Sequence, residues 1–444
     1  MKVLWFTNIP MPAVDRYTRL PTRGSGHWMS ALLEKLAMLQ DIKLGVVTAY
    51  PRLPDIKFES EGIDYFVVGQ PRLSSNIHWH RDLKKCAEIA KEWKPDLIHI
   101  HGTENFYGLL KARALVDIPT AISIQGLRGP YSKWTNHFGS LSAWEIVKSH
   151  RLIEILAYGG LIWDYLRGKK AAKRELEIIR GNNAFIGRTD WDHAYIRSLN
   201  PTASYYHVDE LLRTPFYEAK WNLAKCRRHS IIFTNAGHPR RGTETLLEAV
   251  KILRGKFENV KLSLAGTISE RSGYGRFLRK SLSQPSFKDY VKLLGYLDAN
   301  KMVSELVSSH VFVIASHIEN SPNSLCEAML VGMPCIASYT GGTTSMLKNE
   351  KTGLFFPSGD AAVLAECIRK IFNNDAFANQ IAAQAKTQAV ARHDPEHIIE
   401  QLINAYDNVI RNNSYRHPYS AESISTSEFA TYEQRIFCSY PFNQ

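Results

Sequence analysis

HIENSPNSLCEAMLVGMP, residues 317–334, sets two glutamates, Glu319 and Glu327, eight positions apart between strongly apolar runs. Charged side chains are rarely fully buried unless they are paired. The β-branched stretch 311–315 just before it reads as a short buried strand. The chain then turns, and Ser321 followed by Pro322 reads as an N-cap with proline at the first helical position. Gly332 and Pro334 stop that helix. Glu319 is therefore expected in the loop at the helix mouth, and Glu327 about a turn and a half inside. Ligands of open α/β sheets bind outside the carboxyl ends of strands, where this loop falls. Glu327, among Leu325, Cys326, Ala328 and Met329, needs hydroxyl or amide partners. A vicinal diol such as a ribose offers two donors to one carboxylate, and Glu319 can accept from a second polyol. The alternative is that both carboxylates merely favour the helix dipole.

Working outward, short apolar runs alternate with helical patterns. Strands are expected at 2–7, 43–47, 65–68, 97–101, 120–125 and 184–187, then at 230–235, 261–265, 291–294, 311–315 and 335–338. Strands alternating with helices indicate parallel sheets flanked by helices. With 444 residues, two such series make two domains. The polar, basic stretch TPFYEAKWNLAKCRRHS (214–230) reads as the link between them. Domains are expected at 1–222 and 223–396, with 397–444 as a closing helix returning toward the first domain plus a tail. The tail from 412 on is rich in Ser and Tyr and lacks periodicity.

The composition is 44% apolar and 22% charged, which is ordinary for a globular protein. The longest nearly apolar run, 152–163, is broken by Glu154 and is too short to span a bilayer. The N-terminus reads as a strand rather than a signal peptide. Six cysteines are scattered without a Cys-x-x-Cys, which fits reduced thiols and a cytoplasmic setting. Net charge is +12, and residues 128–188 carry eleven Lys/Arg against five Asp/Glu. Charge alone would allow nucleic acid as a partner, but no nucleic-acid module is recognisable, so none is expected. Residues 141–174, with Trp144, Trp163 and a basic close at Arg167, Lys169, Lys170, Lys173 and Arg174, suit a segment lying on an anionic membrane surface at its inner face. The competing reading is ordinary core of the first domain.

The E-x7-E spacing in a strand–loop–helix, followed by GMPCIAS (332–338), TGG (340–342) and TGLFFPSGD (352–360), resembles the donor domain of glycosyltransferase family 4. That resemblance implies an α/β GT-B fold, two Rossmann-like domains facing across a cleft, the first taking the acceptor and the second a nucleotide sugar. It implies that Glu319 contacts the transferred sugar and Glu327 the ribose. Asn320, Ser321, Asn323, Ser324 and Leu325 would hold sugar and phosphate through backbone amides. In FTNAGHPRRGTETLLEAV (233–250), Arg240 and Arg241 precede a glycine turn and helix. Guanidinium pairs phosphate oxygens in a bidentate way, and fixed cations stabilise charge developing on a leaving diphosphate. The family's Arg and Lys-Gly positions are matched by Arg240 and by Arg241 with Gly242. LPTRGSGHWMSALLEKLA (20–37) opens the first helix, and Gly24 and Gly26 would lie against the diphosphate.

DLIHIHG (96–102) and TAISIQGLRGPY (120–131) also resemble the family's first domain. Where the family commonly has His near the reacting sugar, after the second of these strands, this chain has Gln125, a donor-binding candidate that can hydrogen-bond a hydroxyl but carries no proton. His101 and Arg188 are the acceptor-side candidates. GRTDWD (187–192) and YYHVDELLR (205–213) are similar to bacterial members that build cell-surface polysaccharides. Asp190 and Asp192 read better as part of a helix cap opened by Thr189 than as a metal site, and no metal or other cofactor is expected. The activity implied is retaining transfer to a glycan or lipid-linked acceptor. A sugar-nucleotide epimerase and an inactive nucleotide-sugar-binding module are its rivals.

Overall fold

The structure, a computed structural model, describes residues 1–19, 27–51, 53–70, 79–156 and 159–414. Gly24, Gly26 and the tail from 415 lie outside the described residues. An eight-stranded sheet contains β1 (Lys2–Thr7), β2 (Lys43–Pro51), β3 (Ile56–Ser60), β4 (Ile63–Gln70), β5 (Leu97–His101), β6 (Thr120–Ser123), β7 (Ala184–Gly187) and β8 (Ser204–His207). Its spatial order is β3-β4-β2-β1-β5-β6-β7-β8. A six-stranded sheet contains β9 (Arg227–Thr234), β10 (Lys261–Ala265), β11 (Val291–Gly295), β12 (Ser309–Ile314), β13 (Cys335–Tyr339) and β14 (Leu354–Pro357), in the order β11-β10-β9-β12-β13-β14. The second sheet is parallel throughout. The architecture is the GT-B fold.

Central strands read as unbroken apolar runs because parallel sheets are covered on both faces. In β1, Val3 and Trp5 join one core layer while Leu4 and Phe6 join the opposite one. In β12, Val311 and Val313 face one layer and Phe312 and Ile314 the other. The expected strands fall within a few residues of the observed ones. Three edge elements, β3, β8 and β14, carry no expectation from sequence. β3 pairs antiparallel with β4 through a two-residue turn in which Glu61 and Gly62 both have positive φ, 55° and 76°. That is a hairpin geometry usually signalled by Asn-Gly or Asp-Gly. β8 and β14 are four residues each, too short to show a period.

Three segments cross between the two sheets. The stretch 214–230 is not a solvated tether. It forms a short helix, Thr214–Glu218, and buries Phe216, Trp221 and Leu223 in the second core. The Trp221 indole donates to the Ser309 carbonyl at 2.7 Å. The helix Pro395–Ser414 lies on the first sheet, where the Tyr406 hydroxyl meets Trp5 Nε1 at 3.2 Å and His99 Nδ1 at 2.7 Å. The crossover between β6 and β7 departs most from expectation. Its buried residues Phe138, Leu141, Ile146 and Leu161 pack into the core of the second sheet, not the first. Ordinary core of the first domain is therefore the wrong description of 141–174.

Candidate active site

The loop after β12 carries Glu319, whose side chain is 8% exposed. It accepts a hydrogen bond from Ser316 Oγ at 2.8 Å and pairs with Arg241 Nη1. Neighbouring turns hold this loop. The His317 amide donates to the Arg240 carbonyl at 2.8 Å, and the Gly342 amide to the Glu319 carbonyl at 3.0 Å. Gly341 sits at φ 51°, and a Cβ there would overlap the Glu319 carbonyl. Gly242, at φ 71°, faces the Ala315 carbonyl in the same way. Both turns therefore require glycine. Arg240 and Arg241 stand side by side. Burial pulls each guanidinium below its ordinary range, and for Arg241 the charge of Arg240 adds to that. Arg241 takes the carboxylate while Arg240 stacks on Tyr131, and two adjacent, largely desolvated cations favour a further anion.

Glu327 is not waiting for hydroxyl partners alone. Arg213 grips it as a fork, with Nε–Oε1 and Nη2–Oε2 both 2.8 Å. Burial still pushes the Glu327 carboxyl up despite Arg213. Each carboxylate oxygen keeps a second lone pair, so a diol can share it. The helix is Asn323–Val331 with Pro322, not Ser321, at the N-cap, and Gly332 closes it at φ 82°. The cause is buried Glu210, which takes the Ser321 hydroxyl at 2.6 Å. Leu325 is spent as well. Its amide donates to the Pro322 carbonyl at 2.9 Å and its side chain is in the core. Asn323 and Ser324 open the helix, where amides lack carbonyls four residues back. Asn320 accepts from Thr189 Oγ1 at 2.9 Å, and its Nδ2 has no partner among the described residues.

Across from this loop, a cavity of about 400 Å³ lies at the carboxyl ends of β1, β5 and β6. His101, Gln125, Asn8, Glu104 and Arg128 are among its lining residues. Four buried polar atoms on that lining have no partner among the described residues: Asn8 Oδ1, His101 Nε2, Gln125 Nε2 and Arg128 Nε. Buried polar groups are normally satisfied, so such a cluster marks a site for a polar ligand. Burial, then His99 and Arg188, hold the His101 pKa well below 6.5, so the ring is neutral. Burial pushes Glu104 up to about 7, against the pull of Arg128. Tyr131 connects the two halves. Its ring lies under the Arg240 guanidinium at 5.0 Å, and its hydroxyl and Glu104 Oε1 both border Gly126. Glu175 fixes this turn by accepting from the Gly129 amide at 2.9 Å.

Arg188 shares a second, smaller cavity with His101 and lies 3.8 Å from Glu210 Oε2 in the junction between the sheets. Burial alone would raise Glu210, but Arg188, His393 and Arg392 bring it to about 2. Glu210, Cys326 and His393 converge closely enough to hold a cation. The two guanidiniums beside them oppose one. Asp192 accepts from the Thr189 amide and Thr189 Oγ1 from the Asp192 amide, a reciprocal cap. Sequence reading missed Glu104, Arg128, Tyr131, Glu210 and Arg213. Arg128 and Tyr131 stand in a quoted strand-end motif, and that position was the available signal. Glu210 and Arg213 likewise stand in the quoted stretch YYHVDELLR (205–213), but nothing in it named Glu327 as the partner of Arg213.

Residues 218–388 match the family described as Glycosyl transferases group 1. Phosphatidyl-myo-inositol mannosyltransferase of Mycobacterium leprae is 28% identical over 178 residues, 40% of this chain. The chain spans 45% of the length of that relative. Among solved structures, sucrose-phosphate synthase from Thermosynechococcus elongatus superposes with a TM-score of 0.66 at 17% identity, over 93% of this chain and 100% of the other. Anabaena HepE in complex with UDP and glucose gives 0.64 at 16% identity, over 92% and 99%. At such identities the likeness speaks for the fold. The loop that carries Glu319 and Glu327 thus lies within the stretch that matches Glycosyl transferases group 1, set in a GT-B fold.

Proposed function

We propose that the protein is a retaining glycosyltransferase moving a sugar from a nucleoside diphosphate sugar to a glycan or lipid-linked acceptor in surface polysaccharide synthesis. The observation that carries this reading is the desolvated Arg240–Arg241 pair beside Glu319, opposite a cavity of unpartnered polar groups. A leaving diphosphate would meet the arginines and the first amides of the helix Asn323–Val331, while Glu319 accepts from a sugar hydroxyl. Glu327 would share its remaining lone pairs with ribose. The cavity beneath His101 and Gln125 would take the acceptor. The bond from the anomeric carbon to the β-phosphate oxygen breaks as a bond to the acceptor oxygen forms on the same face. The acceptor proton passes to the leaving phosphate. Neutral His101 and Gln125 leave that phosphate as the base. The M. leprae relative is named for a lipid acceptor, and HepE was solved with UDP. Both support the substrate classes. A panel of nucleotide sugars tested by calorimetry and mass spectrometry is expected to yield one donor that binds and is consumed. A protein that binds none of them overturns the reading.

With two arginines and helix amides to neutralise the diphosphate, activity is expected to persist in EDTA. Abolition by chelation and rescue by Mn²⁺ would return attention to Asp190 and Asp192. A second expectation concerns Glu104. Its native carboxyl keeps a proton up to about pH 7, whereas the ordinary value is 4.5. Between these values the folded state binds more protons than the unfolded one, so stability falls as pH rises. The wild-type Tm should therefore drop relative to Glu104→Gln between about pH 4.5 and 7 and run parallel above it. A difference that does not vary with pH refutes this environment for Glu104.

A further inference from the structure

The crossover between β6 and β7 buries its inner face against the second sheet and leaves its outer face apolar. Fifteen large hydrophobic side chains are exposed among the described residues, and seven lie between 134 and 166. Trp144, Val147, Ile153, Leu156, Ile162 and Leu166 are 40–73% exposed. Exposed apolar clusters of this kind mark interaction sites. Because Phe138, Leu141, Ile146 and Leu161 already occupy the core, the segment cannot turn over to hide its outer face.

Basic groups surround that face. Lys148 lies 5.1 Å over the Trp144 ring and Lys169 5.3 Å over Tyr165. Along the helix Gly160–Arg180, Ile162, Leu166, Lys169, Lys170 and Lys173 recur every three or four residues and are all exposed. They share one surface that passes from apolar to cationic. Nearby acids are engaged: Glu145 caps its own helix, Glu154 accepts from the Gly273 amide, and Asp164 pairs with Arg167. The result is an apolar patch with a net positive rim, complementary to anionic headgroups over an acyl interior. Ser140 of the same segment bonds Thr245 Oγ1 at 3.0 Å, one helix turn from Arg241.

We propose that this crossover seats the protein on an anionic bilayer. Trp144, Ile153, Leu156 and Ile162 enter the interface, the lysines face headgroups, and the mouth of the cleft is held at the membrane surface. This goes beyond the proposed transfer reaction and does not require it. Co-sedimentation of the full chain with phosphatidylglycerol–phosphatidylcholine vesicles tests it. Wild type is expected to bind at low salt, more weakly at high salt, and poorly to phosphatidylcholine alone. Lys169→Glu, Lys170→Glu and Lys173→Glu together should weaken partitioning by at least about a hundredfold, the effect of losing three positive charges before the added repulsion. Ile153→Ser with Leu156→Ser should weaken it at every salt concentration. Nucleotide binding without vesicles, measured on the same samples, should be unchanged, which separates this result from the fate of the transfer reading. Failure of wild type to bind the anionic vesicles, or equal binding by the charge-reversed variant, overturns the proposal. So does conversion of an oligomer to a monomer by the Ile153 and Leu156 changes, which would make the face a protein interface.

Discussion

Arg241→Ala is expected to lower kcat by about 100- to 1,000-fold, the range for removing one fixed donor from developing oxyanion charge. Donor KM should rise only modestly. Arg241 is three-quarters buried beside Arg240 and tied to Glu319. In the ground state the diphosphate charge is spread over two phosphates and shared with solvent and helix amides. As the sugar leaves, charge concentrates on the β-phosphate, and a desolvated guanidinium interacts with it most strongly then. An interaction stronger in the transition state lowers kcat when lost, whereas uniform binding only raises KM. Steady-state kinetics on folded protein decide between these. A rise in KM at constant kcat would make Arg241 a binding residue. Arg241→Lys keeps the charge but loses the fork, so an intermediate kcat is expected.

Glu327→Ala should act on both stability and nucleotide binding. Removing one partner of a fully buried ion pair costs about 3–5 kcal/mol, and the cost here should fall below that because the Arg213 side chain is 27% exposed and water can reach it. The stranded group is Arg213, whose guanidinium lies 4.7 Å over Phe216. Loss of a charged acceptor should also weaken nucleoside diphosphate binding by about 1.5–3 kcal/mol. Glu327→Gln keeps the shape and should separate the two effects: the fold survives better while the affinity loss remains. Unfolding midpoints together with calorimetry on the free nucleotide check both. Unchanged affinity in a folded variant removes Glu327 from the ribose site.

The crossover 124–183 shows what local pattern cannot carry. Its amphipathic helices announce that one face is buried, but not against which core. The first sheet was the natural expectation because the segment lies between two of its strands. In the middle of the crossover, proximity in the chain lost to the second sheet, where Phe138 and Leu161 found apolar partners, while Leu127, Ile178 and Ile179 at its ends keep to the first core. The same limit hid the hairpin strand β3, because positive φ at Glu61 comes from its pairing with β4 rather than from a usual turn residue.

The central strands and the placing of Glu319 in a loop and Glu327 in a helix were determined by sequence. These depend on neighbours within a few residues, through apolar runs, a proline and the glycine at 332. The partners of the two glutamates were decided only by tertiary structure. Arg241 is 78 residues from Glu319, and Arg213 is 114 from Glu327. No periodicity spans such distances, and a buried carboxylate takes whichever cation the packing of the two sheets brings within reach. The unpartnered cavity groups were out of reach for the same reason, since Asn8, His101, Gln125 and Arg128 converge only when β1, β5 and β6 lie side by side.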